Sequence, residues 1–121
     1  MATGGKILLV EDDREQASLF ASVLTMSGSD VVTELNAETA LVRMAAEGFD
    51  LVLVDWDLPG MKGDVLITKV KAQYPGVKTV LFSNHAHVGQ IAQACGADAW
   101  MLKTEGVLRL REIIAGLMPR F

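Results

Sequence analysis

Leu51-Val52-Leu53-Val54, followed at once by Asp55-Trp56-Asp57-Leu58-Pro59-Gly60, is the stretch from which the rest of the chain can be read. Four consecutive apolar residues predict a strand buried on both faces. The Pro and Gly that follow predict a loop. Moving outward, the same grammar recurs. Ile7-Leu8-Leu9-Val10 runs into Glu11-Asp12-Asp13, Thr79-Val80-Leu81-Phe82 into Ser83-Asn84-His85, and Ala99-Trp100-Met101-Leu102 into Lys103. Val31-Val32-Thr33 is the shortest and least apolar run, which predicts an edge strand.

Between these runs the period changes from continuous to helical. Ala17, Phe20, Ala21 and Leu24 stripe a helix from Arg14 to about Met26, stopped by Ser27-Gly28. Asn36 is placed to cap a helix over Ala37 to Glu47, striped by Ala40, Leu41, Met44 and Ala45, with Gly48 as its C-terminal stop. Further helices are predicted from about Asp64 to Gln73, from Val88 to Ala94 before Gly96, and from Leu108 to Leu117. Five strands alternating with five helices predict an α/β fold, a single doubly wound (βα)5 domain with a parallel sheet covered on both faces. Right-handed crossovers follow from that arrangement. In such sheets ligands bind beyond the carboxyl ends of the strands.

A chain of 121 residues suits one domain over 1–121, with no output domain after the fifth helix. Half the residues are hydrophobic and only 6% are aromatic, so an aliphatic core is expected. The formal net charge of -4 lacks the basic patch that direct nucleic-acid binding requires. The apolar runs fall far short of the roughly 20 residues that span a membrane, and no signal peptide opens the chain. Cys95, the single cysteine, cannot form an intrachain disulfide and reads as a buried structural thiol. These features predict a soluble cytoplasmic protein.

The predicted strand ends carry Asp12 and Asp13, Asp55, Ser83 and Lys103, side chains far apart in sequence that the architecture brings to one edge. Packed carboxylates repel, so one holds a proton or a cation sits among them. Hard oxygen donors suit Mg²⁺, which accepts one or two carboxylates together with phosphate oxygens. A lysine and a hydroxyl beside such a metal suit a phosphoryl group, with charge on its equatorial oxygens neutralised during transfer. A carboxylate in line can itself be the nucleophile.

This arrangement resembles the receiver domain of two-component response regulators, the CheY-like family. The matching residues are Glu11-Asp12-Asp13, Asp55 through Gly63, Ser83 and Lys103, and the likeness covers essentially the whole chain. It implies a flavodoxin-like sheet of order 2-1-3-4-5. It implies that Asp55 is the phosphoacceptor, that Asp12, Asp13, Asp55 and the backbone carbonyl of Asp57 hold Mg²⁺, and that Ser83 and Lys103 contact the phosphoryl oxygens. The implied donor is a phosphohistidine on a sensor histidine kinase or phosphotransfer protein. The implied switch runs through Ser83 and Trp100 to the face formed by the fourth helix, fifth strand and fifth helix, where a downstream protein or a second copy docks.

Three positions depart from that pattern. Trp100 stands where Tyr or Phe is usual. Thr104 stands where a cis proline is usual, and since a cis bond before a non-proline residue costs about 2.5–4 kcal/mol, a trans peptide is expected. Asn84-His85 follows Ser83 where a small residue is common. His85-Ala86-His87 is too sparse for a metal pair. Two rival readings remain distinct from a working receiver. One is a pseudo-receiver that acts without phosphorylation. The other is an Asp-nucleophile phosphatase of the haloacid-dehalogenase type, in which Asp57 is the acid/base.

Overall fold

The apolar runs become strands because a parallel sheet with helices on both sides offers them no solvent face. The computed structural model describes residues 5–118. In chain order the elements are β1 (Lys6–Val10), α1 (Arg14–Met26), β2 (Asp30–Glu34), α2 (Ala37–Ala46), β3 (Leu51–Asp55), α3 (Gly63–Gln73), β4 (Lys78–Ser83), α4 (Val88–Cys95), β5 (Ala99–Leu102), a 3-10 turn (Lys103–Glu105) and α5 (Gly106–Leu117). All pairings are parallel and the sheet order is β2-β1-β3-β4-β5. This is the predicted fold and order, with β2 at an edge.

Alternation along each strand splits the core into two layers. Leu8, Val10, Val52, Val54 and Leu81 face one way, against residues of α2, α3 and α4 such as Ala40, Leu66 and Ala92. Ile7, Leu9, Leu53, Val80 and Phe82 face the other way, against Phe20, Leu24, Leu110 and Ile114 of α1 and α5. Phe20 and Phe82 meet edge to face at 5.2 Å between ring centroids. Among the described residues, no helix is long and apolar enough to cross a membrane.

Some details differ from expectation. The buried stripe of α2 is Ala37, Ala40 and Met44, with Leu41 packed beside it, and Ala45 is exposed. The i, i+3, i+7 spacing starts one turn earlier than predicted. That helix also stops at Ala46, because Glu47 turns extended and pairs with Lys6. Gly48 therefore takes no left-handed conformation, whereas Gly96 does, at φ 81°, and closes α4 as expected. Every peptide bond among the described residues is trans, the Lys103–Thr104 bond included.

The strand starts are tied by a polar clamp. Oδ2 of Asp98 accepts from the amide of the fully buried Thr79 at 2.8 Å and from its hydroxyl at 3.1 Å. Lys71 of α3 donates to both Asp98 oxygens, at 3.1 and 3.0 Å. One carboxylate thus joins α3, β4 and the entry to β5. Asp98→Ala leaves the Thr79 amide buried without this acceptor. It should cost about 1–3 kcal/mol of unfolding free energy by urea denaturation; a change within error would show that water replaces the carboxylate.

Candidate functional site

Because all five strands run the same way, their carboxyl ends share one edge of the sheet. A pocket of about 370 Å³ opens there, and its lining includes Glu11, Asp12, Asp55, Ser83, His85 and Lys103. Asp55 is the last residue of a strand buried along its whole length, and it is itself only 3% exposed. Its Oδ1 accepts from the Asp57 amide at 3.2 Å. The helix behind it starts at Gly63, one residue before the predicted start. The Gly63 amide donates to the Trp56 carbonyl at 2.9 Å. A Cβ at position 63 would run into the Asp55 carbonyl oxygen and lie 2.8 Å from the Trp56 Cα. Glycine here lets α3 close against the strand that carries Asp55.

Charge at the site is unbalanced. Lys103 Nζ lies 3.3 Å from Asp55 Oδ2, 2.6 Å from Glu11 Oε1 and 2.8 Å from Gln16 Oε1. It also stands 5.0 Å above the Phe82 ring. Glu11, Asp12 and Asp55 each place a carboxylate oxygen within 4.8 Å of the others. When all three carboxylates are ionised, the one lysine leaves two negative charges uncompensated. At that separation the repulsion between the buried Glu11 and Asp55 is about 3–4 kcal/mol at an effective dielectric near 20. Burial pushes the Glu11 carboxyl up to about 7, the Lys103 hydrogen bond pulls it back, and the neighbouring Asp55 charge adds to the rise.

The predicted site residues fall in different places. Asp12 and Asp55 come together, and the third carboxylate beside them is Glu11, which the sequence reading had not singled out. Asp13 lies outside this group. It is exposed and serves as N-cap of α1, its Oδ1 accepting from the amides of Glu15 at 3.0 Å and Gln16 at 3.2 Å. A signal for this was present, since Asp13-x-x-Gln16 has the spacing of a capping box. Ser83 is 3% exposed at the end of β4, and its Oγ accepts from the His85 amide at 2.9 Å. The Asp57 side chain is 74% exposed and pairs with Lys62 at 2.9 Å. It also lines the rim of the pocket that holds Asp55.

Trp100 lies apart from the pocket. It is 40% exposed, and its indole rests on Gly89 of α4. Trp56 lines the pocket rim, with its Nε1 donating to Asp64 Oδ1 at 3.1 Å and Lys62 Nζ 5.7 Å above its ring. His85 Nδ1 accepts from the His87 amide at 3.1 Å, and the two rings lie 5.4 Å apart between centroids. Cys95 is half-buried rather than buried, and burial pushes its thiol up.

The donor set fits a hard divalent cation. Three carboxylates supply oxygens only, two charges are left over when all three are ionised, and Asp12 is open to solvent, which leaves room for the waters that Mg²⁺ keeps.

The family profile described as "Response regulator receiver domain" matches residues 7–115. The chain is 32% identical over 112 residues to the response regulator protein FleR of Pseudomonas aeruginosa, covering 91% of this chain and 24% of FleR. It is 35% identical over 83 residues to the sensor protein TorS of Escherichia coli, covering 68% of this chain and 9% of TorS. It thus spans a quarter or less of the length of these relatives. The structure of the response regulator protein TrrA of Thermotoga maritima, in complex with Mg²⁺ and BeF, superposes with a TM-score of 0.88 at 25% identity, covering 93% of this chain and 98% of that one.

The buried Glu11 gives the fold a pH dependence of known sign. A carboxyl raised from 4.5 to about 7 in the folded state adds stability below pH 4.5, and that stability is lost as pH rises through 7. Glu11→Gln removes this titration. Without added metal, the stability of the parent relative to Glu11→Gln should therefore fall between pH 4.5 and 7 and level off above. Urea denaturation across that range reads it directly, and a flat difference would mean that Glu11 is ionised throughout.

Proposed function

The chain belongs to the response regulator receiver domain family, and from that premise we propose that Asp55 accepts a phosphoryl group from a phosphohistidine of a sensor histidine kinase or phosphotransfer protein. The observation that carries this is the placement of Asp55, a buried carboxylate facing Lys103 at 3.3 Å across an acidic pocket short of positive charge. An Asp55 oxygen forms the new bond to phosphorus. The bond from phosphorus to the donor's imidazole nitrogen breaks, and its electron pair stays on that nitrogen. Oδ1 is steadied by the Asp57 amide, while Lys103 neutralises developing charge on the phosphoryl oxygens. Ser83 turns its hydroxyl hydrogen to another of those oxygens.

Glu11, Asp12 and Asp55, with the Asp57 backbone carbonyl, would hold Mg²⁺, whose charge would offset both the carboxylates and the incoming group. Asp13 is assigned to the helix cap rather than to the metal. The chain acts as a signalling switch in the cytoplasm, turning over no substrate beyond its own phosphoryl group. A change at Ser83 and Trp100 remodels the face formed by α4, β5 and α5, where a downstream protein or a second copy binds. Neither nucleic acid nor membrane is a direct partner.

Intact mass after incubation with phosphoramidate tests the reading. A Mg²⁺-dependent adduct of one phosphoryl group is expected, absent in Asp55→Asn. No adduct in a folded protein that binds Mg²⁺ would favour a pseudo-receiver acting by contacts alone. The metal assignment is tested separately. Asp12→Asn should weaken Mg²⁺ binding about tenfold or more, since affinity at carboxylate sites follows ligand charge. Asp13→Ala should leave that affinity near the parent value and instead cost about 1 kcal/mol of stability, the usual effect of a lost N-cap. The reverse pattern would return Asp13 to the metal.

A further inference from the structure

We propose that Gln16 is a positioning residue for Lys103, whose uncharged side-chain oxygen holds one N–H of the ammonium and so keeps another available to a phosphoryl oxygen. The inference rests on the phosphoacceptor reading above and gives a role to a residue of α1 that lines the same pocket.

A lysine ammonium carries three N–H donors and no acceptor. Lys103 gives one to Glu11 Oε1 at 2.6 Å and one to Gln16 Oε1 at 2.8 Å. Asp55 Oδ2 stands further off, at 3.3 Å. Two donors are thus committed on the side of β1 and α1, and the third remains for the side where Asp55 stands. Of these three oxygens, the one on Gln16 carries no charge.

The packing of α1 brings Gln16 to this place. Phe20 lies one turn on, on the same helix face, and meets Phe82 edge to face. Lys103 stands 5.0 Å above that Phe82 ring. Docking Phe20 on Phe82 therefore sets Gln16 against the tip of the lysine. The first turn of α1 is fixed as well, because the Gln16 amide donates to Asp13 Oδ1 at 3.2 Å. The Asp13-x-x-Gln16 spacing suits a capping box, yet the box stays open. The Asp13 amide donates to Glu11 Oε2 at 3.2 Å instead, and the Gln16 oxygen that would have closed the box goes to Lys103. At the other end of the lysine, the Leu102 amide donates to Glu105 Oε1 at 2.8 Å and braces the turn that carries Lys103. The base of the side chain is held by that turn and its tip by Gln16.

Neutrality is what the position requires. Glu11 and Asp55 already draw the ammonium by charge, in competition with any oxyanion that enters. A further carboxylate in place of the amide would sharpen that competition. An apolar side chain would leave the tip unfixed between the two carboxylates. An amide oxygen orients the ammonium without adding charge.

Two variants of the full chain separate orientation from charge. Gln16→Leu removes the acceptor at similar bulk, and Gln16→Glu keeps an acceptor of the same reach but makes it anionic. Leu, Gln and Glu are all good helix formers, so α1 itself is not the variable. Exchange of the Lys103 Nζ protons with water reports the bond directly. It is read from lysine ammonium spectra of the resting protein, with the resonance assigned by Lys103→Arg. Gln16→Leu should speed that exchange by about two- to tenfold, the effect of one lost hydrogen bond, and Gln16→Glu should not. Phosphorylation by phosphoramidate at saturating Mg²⁺, followed by intact mass over a range of donor concentrations, reports the consequence. The limiting rate should fall about three- to tenfold in both variants, through lost orientation in one and competition for the lysine in the other. The half-saturating donor concentration should stay near the parent value, because the lysine acts on charge that develops during transfer. Exchange unmoved in Gln16→Leu would overturn the tie. Faster exchange with a parent-like limiting rate would overturn the positioning role and leave a structural bond. A parent-like rate in Gln16→Glu would overturn the need for a neutral acceptor. A parent that gains no mass fails the phosphoacceptor reading instead, and ammonium exchange alone then decides the tie.

Discussion

A carboxylate at the end of a strand buried on both faces has to be balanced from within the protein, and the rest of the site follows from how Lys103 does this. The lysine sits in the turn after β5, next to the edge of the sheet, and reaches back to β1 and β3. It is shared between Glu11 and Asp55, with the shorter contact to Glu11, at 2.6 against 3.3 Å. That sharing is incomplete compensation. Burial raises the Glu11 carboxyl despite the lysine beside it. The pocket is thus short of positive charge, which suits it to a divalent ion.

Most of the fold was legible because burial on both faces leaves a simple trace. Runs such as Leu51–Val54 have no polar residue to interrupt them, and the period change between runs marks the helices. The site was legible in part, because topology alone brings Asp55, Ser83 and Lys103 to one edge. What periodicity could not show was which member of the 11–13 acidic run continues the strand. Glu11 still donates its amide to the Glu34 carbonyl at 3.0 Å, so the β1–β2 pairing extends through it and its side chain is drawn inside. Asp13 has already left the sheet and begins the helix. A shift of one residue decides between a buried charge and a solvated cap, and only pairing across strands fixes that register.

Glycines carry the same lesson at shorter range. Gly63 and Gly89 are both helical, and neither needs a left-handed backbone. Each is there because of what lies opposite, the Asp55 carbonyl in one case and the Trp100 indole in the other. In sequence they read as ordinary first-turn residues of low helix propensity. Their cost to the helix is offset by a close approach that no larger residue allows. One approach sets the strand that ends in Asp55, and the other sets the indole beside a groove between α4 and β5.

The two edges of the sheet treat their carboxylates in opposite ways. At the strand starts, burial also works against the ionised form of Asp98, yet hydrogen bonds from Lys71 and Thr79 outweigh it and hold its carboxyl below the usual range. At the strand ends, burial outweighs the Lys103 hydrogen bond at Glu11, and the neighbouring Asp55 carboxylate adds to the rise. The difference is the ratio of donors to anions rather than depth alone. Asp98 is surrounded by enough donors to act as a structural clamp. Glu11 and Asp55 are not, and with Asp12 beside them the cluster could hold a metal ion. One edge of the sheet thus carries a carboxylate matched by its donors, and the other carries carboxylates that outnumber theirs.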